Sequence, residues 1–173
     1  IGSRPVFDLS VTYGNGKTVN NFGGGSVTIT LPYTLQAGEK AGNVCAVYMD
    51  TNGNVNYIVA SSYDVVSKSV LFSTNHFSIY GVGYKTDVPA FADIADHWAK
   101  TDIEFVTARG LLAGTSTTTF SPNTSMTRGM FVTALGRMAN IDTNSYKTGS
   151  FTDVKADAYY APYVNWAASK GIV

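Results

Sequence analysis

The feature that most constrains the fold of this chain is an internal repeat with a period of about 60 residues. The motif Phe-Ala-Asp-Ile at 91–94 returns at 151–154 as Phe-Thr-Asp-Val. After a one-residue insertion, the apolar and aromatic positions that follow also match, and both stretches reach a glycine, at Gly110 and Gly171. In a repeat protein each unit relies on its neighbours to cover its apolar face. The two stretches are therefore interpreted as copies of one module.

The chain divides into a first part with strand periodicity and a second part with helical periodicity. Up to about residue 84, short runs alternate apolar and polar residues, and turn formers such as Gly14-Asn15-Gly16 separate them. Beyond Pro89 the period changes from 2 to 3.6. We predict an antiparallel, sandwich or barrel-like β domain followed by all-α helical repeats. The predicted boundaries are 1–86 for the β domain, 87–90 for a linker, 91–148 for the first repeat and 149–173 for a truncated second repeat. The two helical patterns of the first repeat predict a helical hairpin.

The stretch around Thr127 carries the clearest local signal. Thr127 is predicted to cap a helix that runs to about Asn140, because its hydroxyl accepts a backbone N–H of the first turn. The apolar stripe of this helix is expected at helical spacing, at Phe131, Leu135 and Met138, widened by Val132 and Ala134. Arg128 then occupies the first helical position and points away from that stripe. Its guanidinium can receive a carboxylate or phosphate through two parallel hydrogen bonds, or it forms a salt bridge or hydrogen bond to a neighbouring loop.

Composition and charge exclude several classes of function. The 173 residues contain 12 basic and 12 acidic side chains, and this balance argues against a nucleic-acid partner. No apolar run approaches the roughly 20 residues that a membrane-spanning helix needs. His76 has no second histidine or cysteine at ligand spacing, and no nucleophile-elbow motif is present, so no catalytic residue, metal site or cofactor is predicted. Cys45, between two apolar residues, is predicted to be a buried thiol.

These motifs resemble the repeats of the S-layer homology (SLH) family. In the first copy the matching segments are Phe91-Ala92-Asp93-Ile94, His97-Trp98-Ala99, Gly110-Leu111-Leu112-Ala113-Gly114, Phe120-Ser121-Pro122 and Thr127-Arg128. In the second copy they are Phe151-Thr152-Asp153-Val154, Tyr159-Tyr160-Ala161 and Gly171-Ile172-Val173. The resemblance covers residues 91–173. More loosely, segments 21–27 and 74–80 resemble the small β domain that precedes such repeats in Gram-positive surface proteins.

The resemblance implies a non-catalytic module that anchors a secreted bacterial protein at the cell wall or S-layer. The partner would be a secondary cell-wall polysaccharide, often pyruvylated, whose carboxylate would meet Arg128. Such modules usually come in threes, so neighbouring repeats beyond this piece of chain are implied as further partners. A structural module that makes protein–protein contacts within a surface array is the alternative function, with a dimer through the truncated repeat or the β domain.

The resemblance also implies a set of ligand-binding residues for the wall glycan. They are Arg128, Thr127, Trp98, Asp93, Gly114 and Tyr159. Trp98 either stacks on a sugar ring or fills the core between helices, and Asp93 is either a ligand or a turn and cap residue. Gly129 and Met130 depart from the family's Ala and Glu, which removes one reciprocal capping bond and weakens the helix start. Because the second copy is truncated, we expect three of its apolar residues to pack against the first repeat, the β domain or a second chain. These residues are Val164, Trp166 and Ile172.

Overall fold

The computed structural model describes residues 2–19, 22–149 and 151–173. Ile1, Asn20 and Ser150 lie outside the described residues, as does Asn21 of the β-domain motif. The chain divides into two compact units, Ile1–Val88 and Pro89–Val173, which are treated separately below.

Within its described residues, the first unit contains nine short strands in three antiparallel sheets. The strands are β1 Val6–Asp8, β2 Thr12–Tyr13, β3 Lys17–Thr18, β4 Val27–Pro32, β5 Val44–Met49, β6 Val55–Ile58, β7 Ser62–Asp64, β8 Ser69–Thr74 and β9 Ile79–Tyr84. The sheet orders are β1-β9-β5-β6, β2-β3 and β4-β8-β7. The alternation of apolar residues across residues 7–13 predicts one strand, but the structure divides it. β1 pairs with β9 and β2 pairs with β3, so the two halves belong to different sheets.

The core of the first unit draws residues from both larger sheets. Its buried members are Leu31, Tyr33, Val44, Ala46, Val70, Phe72, Tyr80 and Val82. Tyr80 is fully buried, and its hydroxyl donates to the carbonyl of His76 at 2.6 Å, which satisfies its polar end. Cys45 is 1% exposed, so the prediction of a buried thiol is confirmed.

The second unit contains three short α-helices within its described residues, and the prediction of all-α helical repeats is wrong. The helices are α1 Lys100–Ala108, α2 Arg128–Met138 and α3 Ala161–Ser169, and short 3-10 turns lie at Ala92–Ile94 and Thr143–Tyr146. The chain between these helices is irregular because it contains many Ser, Thr, Asp and Gly residues, which favour turns. Asp142, for example, accepts the backbone N–H of Asn144 and opens a 3-10 turn.

The repeat is visible in the backbone. α1 and α3 each span nine residues and begin 61 positions apart, at Lys100 and Ala161. Two residues beyond the last helical residue, both copies have a glycine in the left-handed region, Gly110 at φ 68° and Gly171 at φ 67°. The next residue then donates its N–H back into the last turn at 2.9 Å in both copies. Glycine terminates both helices because other residues are strained at this φ.

Helix packing crosses the boundary between the two copies. α2 packs against α3, and Val132, Trp166 and Ala167 form the centre of their shared cluster. Within the described residues, the apolar cluster around α1 contains no residue of α2. Val164 and Trp166 belong to the shared cluster, which confirms that they pack against the first repeat, whereas Ile172 is 47% exposed.

The packed face of α2 differs from the predicted stripe. Phe131 is 55% exposed and Met138 is 49% exposed, although Leu135 does pack against the shared cluster. Towards the second copy α2 presents Gly129, Val132 and Gly136, at the helical spacing i, i+3 and i+7, and Leu135 joins the same cluster. Of the predicted stripe, Val132 and Leu135 are therefore covered by the second copy, whereas Phe131 and Met138 are not.

Candidate functional site

A groove of about 530 Å³ lies between the start of α2 and the second copy of the repeat. The first copy contributes Thr127, Arg128, Gly129 and Val132, and the second contributes Phe151, Asp153, Val154, Tyr160, Val164 and Val173. Its floor is mainly apolar, and Arg128 and Asp153 bring one positive and one negative side chain. The volume falls in the range of about 300–1,000 Å³ that is usual for small-ligand sites.

The start of α2 holds Arg128 in a defined place. Thr127 has extended dihedral angles, φ −80° and ψ 160°, and its hydroxyl accepts the N–H of Met130 at 3.2 Å. Thr127 is therefore the N-cap, as the sequence predicts, and Arg128 is the first helical residue. Arg128 is exposed, and no hydrogen bond or ion pair joins its side chain to another residue in the described part of the chain. A helix start carries partial positive charge, which adds to the attraction of the guanidinium for an anion.

Tyr160 forms one wall of the groove directly against this helix start. A β-carbon placed at Gly129 would lie 2.9 Å from Cγ of Tyr160 and 3.1 and 3.3 Å from its two Cδ atoms. Real β-carbons do not approach a ring this closely, so only glycine admits the ring at this position. The departure from the family's alanine therefore has a physical reason in this chain.

The two matching aspartates have different surroundings. Asp93 accepts the backbone N–H of Phe120 at 2.9 Å and of Ser121 at 2.7 Å. These hydrogen bonds, first that of Phe120, lower the pKa of Asp93 below its usual value. Asp93 thus stabilises the loop at Phe120 and Ser121 in the first copy. In the described residues Asp153 has no such bond, and it lines the groove.

The matching phenylalanines differ in the same way. Phe91 is 7% exposed, because it packs with Ile94, Ile103 and Phe120. Phe151 is 42% exposed and offers its ring to the groove. The rings of the two copies therefore differ in exposure, and the ring of Phe151 is the one that lines the groove.

The structure places the six predicted site residues in different surroundings. Only Thr127 and Arg128 line the groove. Trp98 is 89% exposed beside His97, so it does not fill a core. A β-carbon at Gly114 would lie 2.4 Å from a ring carbon of Phe91, so this glycine permits close packing. Tyr159 is 59% exposed and meets the ring of Tyr160 edge-on.

The sequence favours a turn or cap role for Asp153 over a ligand role, and it predicts that the pair Tyr159-Tyr160 lines a groove of the second copy. Three side chains of the groove are not among the six predicted ligand-binding residues, namely Phe151, Asp153 and Tyr160. Each of them stands in a motif that matches the first copy, so the signal was the internal repeat itself. Trp98 aligns with Tyr159, but the alignment does not reveal which of the two adjacent rings turns towards α2. In the ranges that the structure describes, no cluster of three or more His, Cys, Asp or Glu side chains could hold a metal ion.

Residues 90–129 and 150–173 match the model of the S-layer homology domain. The C-terminal unit belongs to the S-layer homology family. SLH domains are non-catalytic modules that anchor proteins at the bacterial cell surface and bind cell-wall polysaccharide. The matched residues include every member of the groove from the first copy except Val132, and all its members from the second copy.

Three enzymes contain similar sequence. An amylopullulanase of Thermoanaerobacterium thermosulfurigenes is 31% identical over 153 residues, which is 86% of this chain and 8% of that protein. Exoglucanase XynX of Acetivibrio thermocellus and endo-1,4-beta-xylanase A of Thermoanaerobacterium saccharolyticum are each 35% identical over 83 residues, which is 48% of this chain and 8% and 7% of those proteins. The chain thus spans less than a tenth of the length of each relative. No solved structure matches the chain.

The match to the amylopullulanase also extends into the β-sheet unit, because the C-terminal unit makes up only about half of the chain. Sequence similar to both units of this chain thus occurs in that relative. In the described residues of this chain, none of the helices is long and apolar enough to cross a membrane.

Proposed function

We propose that the C-terminal unit holds an exported protein at the bacterial cell wall by binding an acidic secondary cell-wall polysaccharide in the groove at Arg128. The observation that carries this proposal is the exposed guanidinium of Arg128 at a capped helix start, beside a groove with apolar walls. An arginine fork binds a carboxylate through two parallel hydrogen bonds. A pyruvate substituent on the polymer would supply that carboxylate.

The walls of the groove suit a sugar ring next to the carboxylate. Phe151 and Tyr160 present aromatic surface, which packs against the C–H face of a pyranose. Asp153 supplies an acceptor for a sugar hydroxyl, and the Thr127 hydroxyl is already the helix cap. The remaining candidates act at a distance from this groove. Exposed Trp98 and Tyr159 would offer stacking surfaces to a long polymer, whereas Asp93 and Gly114 shape the loops of the first copy.

Co-sedimentation of the protein with cell-wall polysaccharide purified from Thermoanaerobacterium thermosulfurigenes tests the proposed binding. We expect Arg128→Ala to weaken binding at least about tenfold, because a tenfold change is about 1.4 kcal/mol and a lost bidentate bond exceeds it. Lys170→Ala is the matched control, since it removes one positive charge from an exposed position outside the groove. Equal binding by Arg128→Ala and the wild type would contradict the proposal.

The nature of the anion is tested on the polymer. Mild acid removes pyruvate ketals, so acid-treated polysaccharide should bind the wild type as weakly as native polysaccharide binds Arg128→Ala. If native and acid-treated polymers bind equally well, pyruvate is not the group that Arg128 recognises.

The relatives' names suggest what is anchored. All three are named as enzymes that act on polysaccharides, so we infer that the parent protein carries such an activity elsewhere and that this unit is not catalytic. The parent protein would then be extracellular.

The exposed apolar side chains of the C-terminal unit favour a second candidate function. Phe131, Met138 and Trp98 are 55%, 49% and 89% exposed. A module that makes protein–protein contacts in a surface array would cover them. Analytical ultracentrifugation separates the two functions: a stable dimer without affinity for the polysaccharide favours the array, and a monomer that binds the polysaccharide favours the anchor.

A further inference from the structure

We propose that Tyr160 is a positioning residue: its ring packs against Gly129, and this contact sets the width of the groove at Arg128. This inference rests on the proposed function and names a residue pair that adjusts the same site. It explains why the groove can join side chains from two copies of the repeat into one binding surface.

Gly129 needs an explanation because glycine disfavours a helix. Its φ is not in the left-handed region, so the backbone of α2 does not require glycine there. Alanine is the better helix former by about 1 kcal/mol in a helix interior. The space beside Gly129 is what requires glycine, because a β-carbon would lie 2.9 Å from the Tyr160 ring.

The position of Tyr160 transmits this contact to the rest of the second copy. Tyr160 is the N-cap residue of α3, and the next residue, Ala161, is 2% exposed. A ring forced off Gly129 would therefore carry the start of α3 away from α2. Both Arg128 and Tyr160 line the groove, so this movement would change the separation of its two walls.

A second glycine provides a matched control on the same helix face. A β-carbon at Gly136 would lie 2.4 Å from Cδ1 of Tyr163, so this pair repeats the arrangement seven residues later. Gly136 and Tyr163 do not line the groove. Substitution at either glycine should disturb the contact of α2 with α3, but only Gly129 should alter the Arg128 site.

The experiment compares Gly129→Ala, Tyr160→Ala, the double variant and Gly136→Ala in the full chain. Affinity for the native polysaccharide is measured well below each melting midpoint, and thermal unfolding is followed by tryptophan fluorescence. Both tryptophans, Trp98 and Trp166, lie in the C-terminal unit, so their signal reports that unit.

We expect Gly129→Ala to weaken binding at least about tenfold and to lower the melting temperature, although alanine favours the helix. The double variant should bind no more weakly than Tyr160→Ala, because the clash disappears with the ring. Gly136→Ala lies outside the groove, so it should melt lower but bind within about twofold of wild type.

Three results would overturn the positioning role: wild-type binding by Gly129→Ala, additive losses in the double variant, or an equal loss of binding in Gly136→Ala. Failure of the proposed function is distinguishable, because wild-type protein would then not bind the polysaccharide, or Arg128→Ala would bind normally, whatever residues occupy positions 129 and 160.

Discussion

Substitution of Thr127 separates the stability of α2 from the binding of a carboxylate. The Thr127 hydroxyl accepts the N–H of Met130 at 3.2 Å, and Met130 cannot return a capping bond as a glutamate would. Loss of an N-cap costs about 1 kcal/mol, within a range of about 0.5–2 kcal/mol. For a unit of this size, 1 kcal/mol corresponds to about 4–8 °C in melting temperature. We therefore expect Thr127→Ala to melt about 4–8 °C lower.

Fluorescence of Trp166 measures this change directly, because Trp166 lies in the cluster that α2 shares with α3. Thr127→Ser keeps the acceptor and serves as the control. Thr127→Asp also keeps an acceptor, and its negative charge at the helix start stabilises by about 0.3–1 kcal/mol.

The same carboxylate lies next to Arg128 and would compete with the polymer's carboxylate. We expect Thr127→Asp to be as stable as wild type or more stable, but to bind the polysaccharide more weakly. The reasoning is refuted if Thr127→Ala melts with the wild type, or if Thr127→Asp binds as tightly as the wild type does.

Three further predictions concern other parts of the chain. The lowered pKa of Asp93 means that its contribution to stability is present above about pH 4 and is lost as the pH falls through that lowered value, so acidification should lower the melting temperature of the C-terminal unit more in wild type than in Asp93→Asn. Gly83→Ala places a β-carbon 2.7 Å from Cγ1 of Val47 and should destabilise the first unit by about 1–3 kcal/mol, seen as faster hydrogen exchange in β5 and β9. Trp98→Ala should change stability by less than about 0.5 kcal/mol, because Trp98 is 89% exposed, but should weaken polysaccharide binding in co-sedimentation.

Local chemistry made part of this structure predictable. The cap at Thr127 depends on a side chain and a backbone group three residues apart, and the glycine at the end of α1 depends only on its own φ. The internal repeat extended the prediction of a terminating glycine from α1 to α3. Matching residues adopt the same backbone conformation in both copies when their local interactions are the same. Strands such as β5 and β9 were likewise indicated by short apolar runs between turns.

The extent of helix was overestimated for a physical reason. An apolar residue at every third or fourth position is compatible with a helix, but it does not require one. Asp93 and Asp142 instead bind backbone N–H groups and hold turns, and Gly110 ends α1. The Asp93 carboxylate binds a loop 27 residues away, which no local pattern reveals.

By itself the sequence determined that the second half is a repeated module and that Arg128 starts a capped helix. Only the tertiary structure decided which face of α2 is covered and which side chains meet Arg128. The sequence pattern includes Phe131 in the apolar stripe, yet the covered face combines Val132 and Leu135 with two glycines that admit the rings of Tyr160 and Tyr163. That choice depends on the fit between groups about 30 residues apart, and shape complementarity at this distance is not written in the local periodicity of either segment.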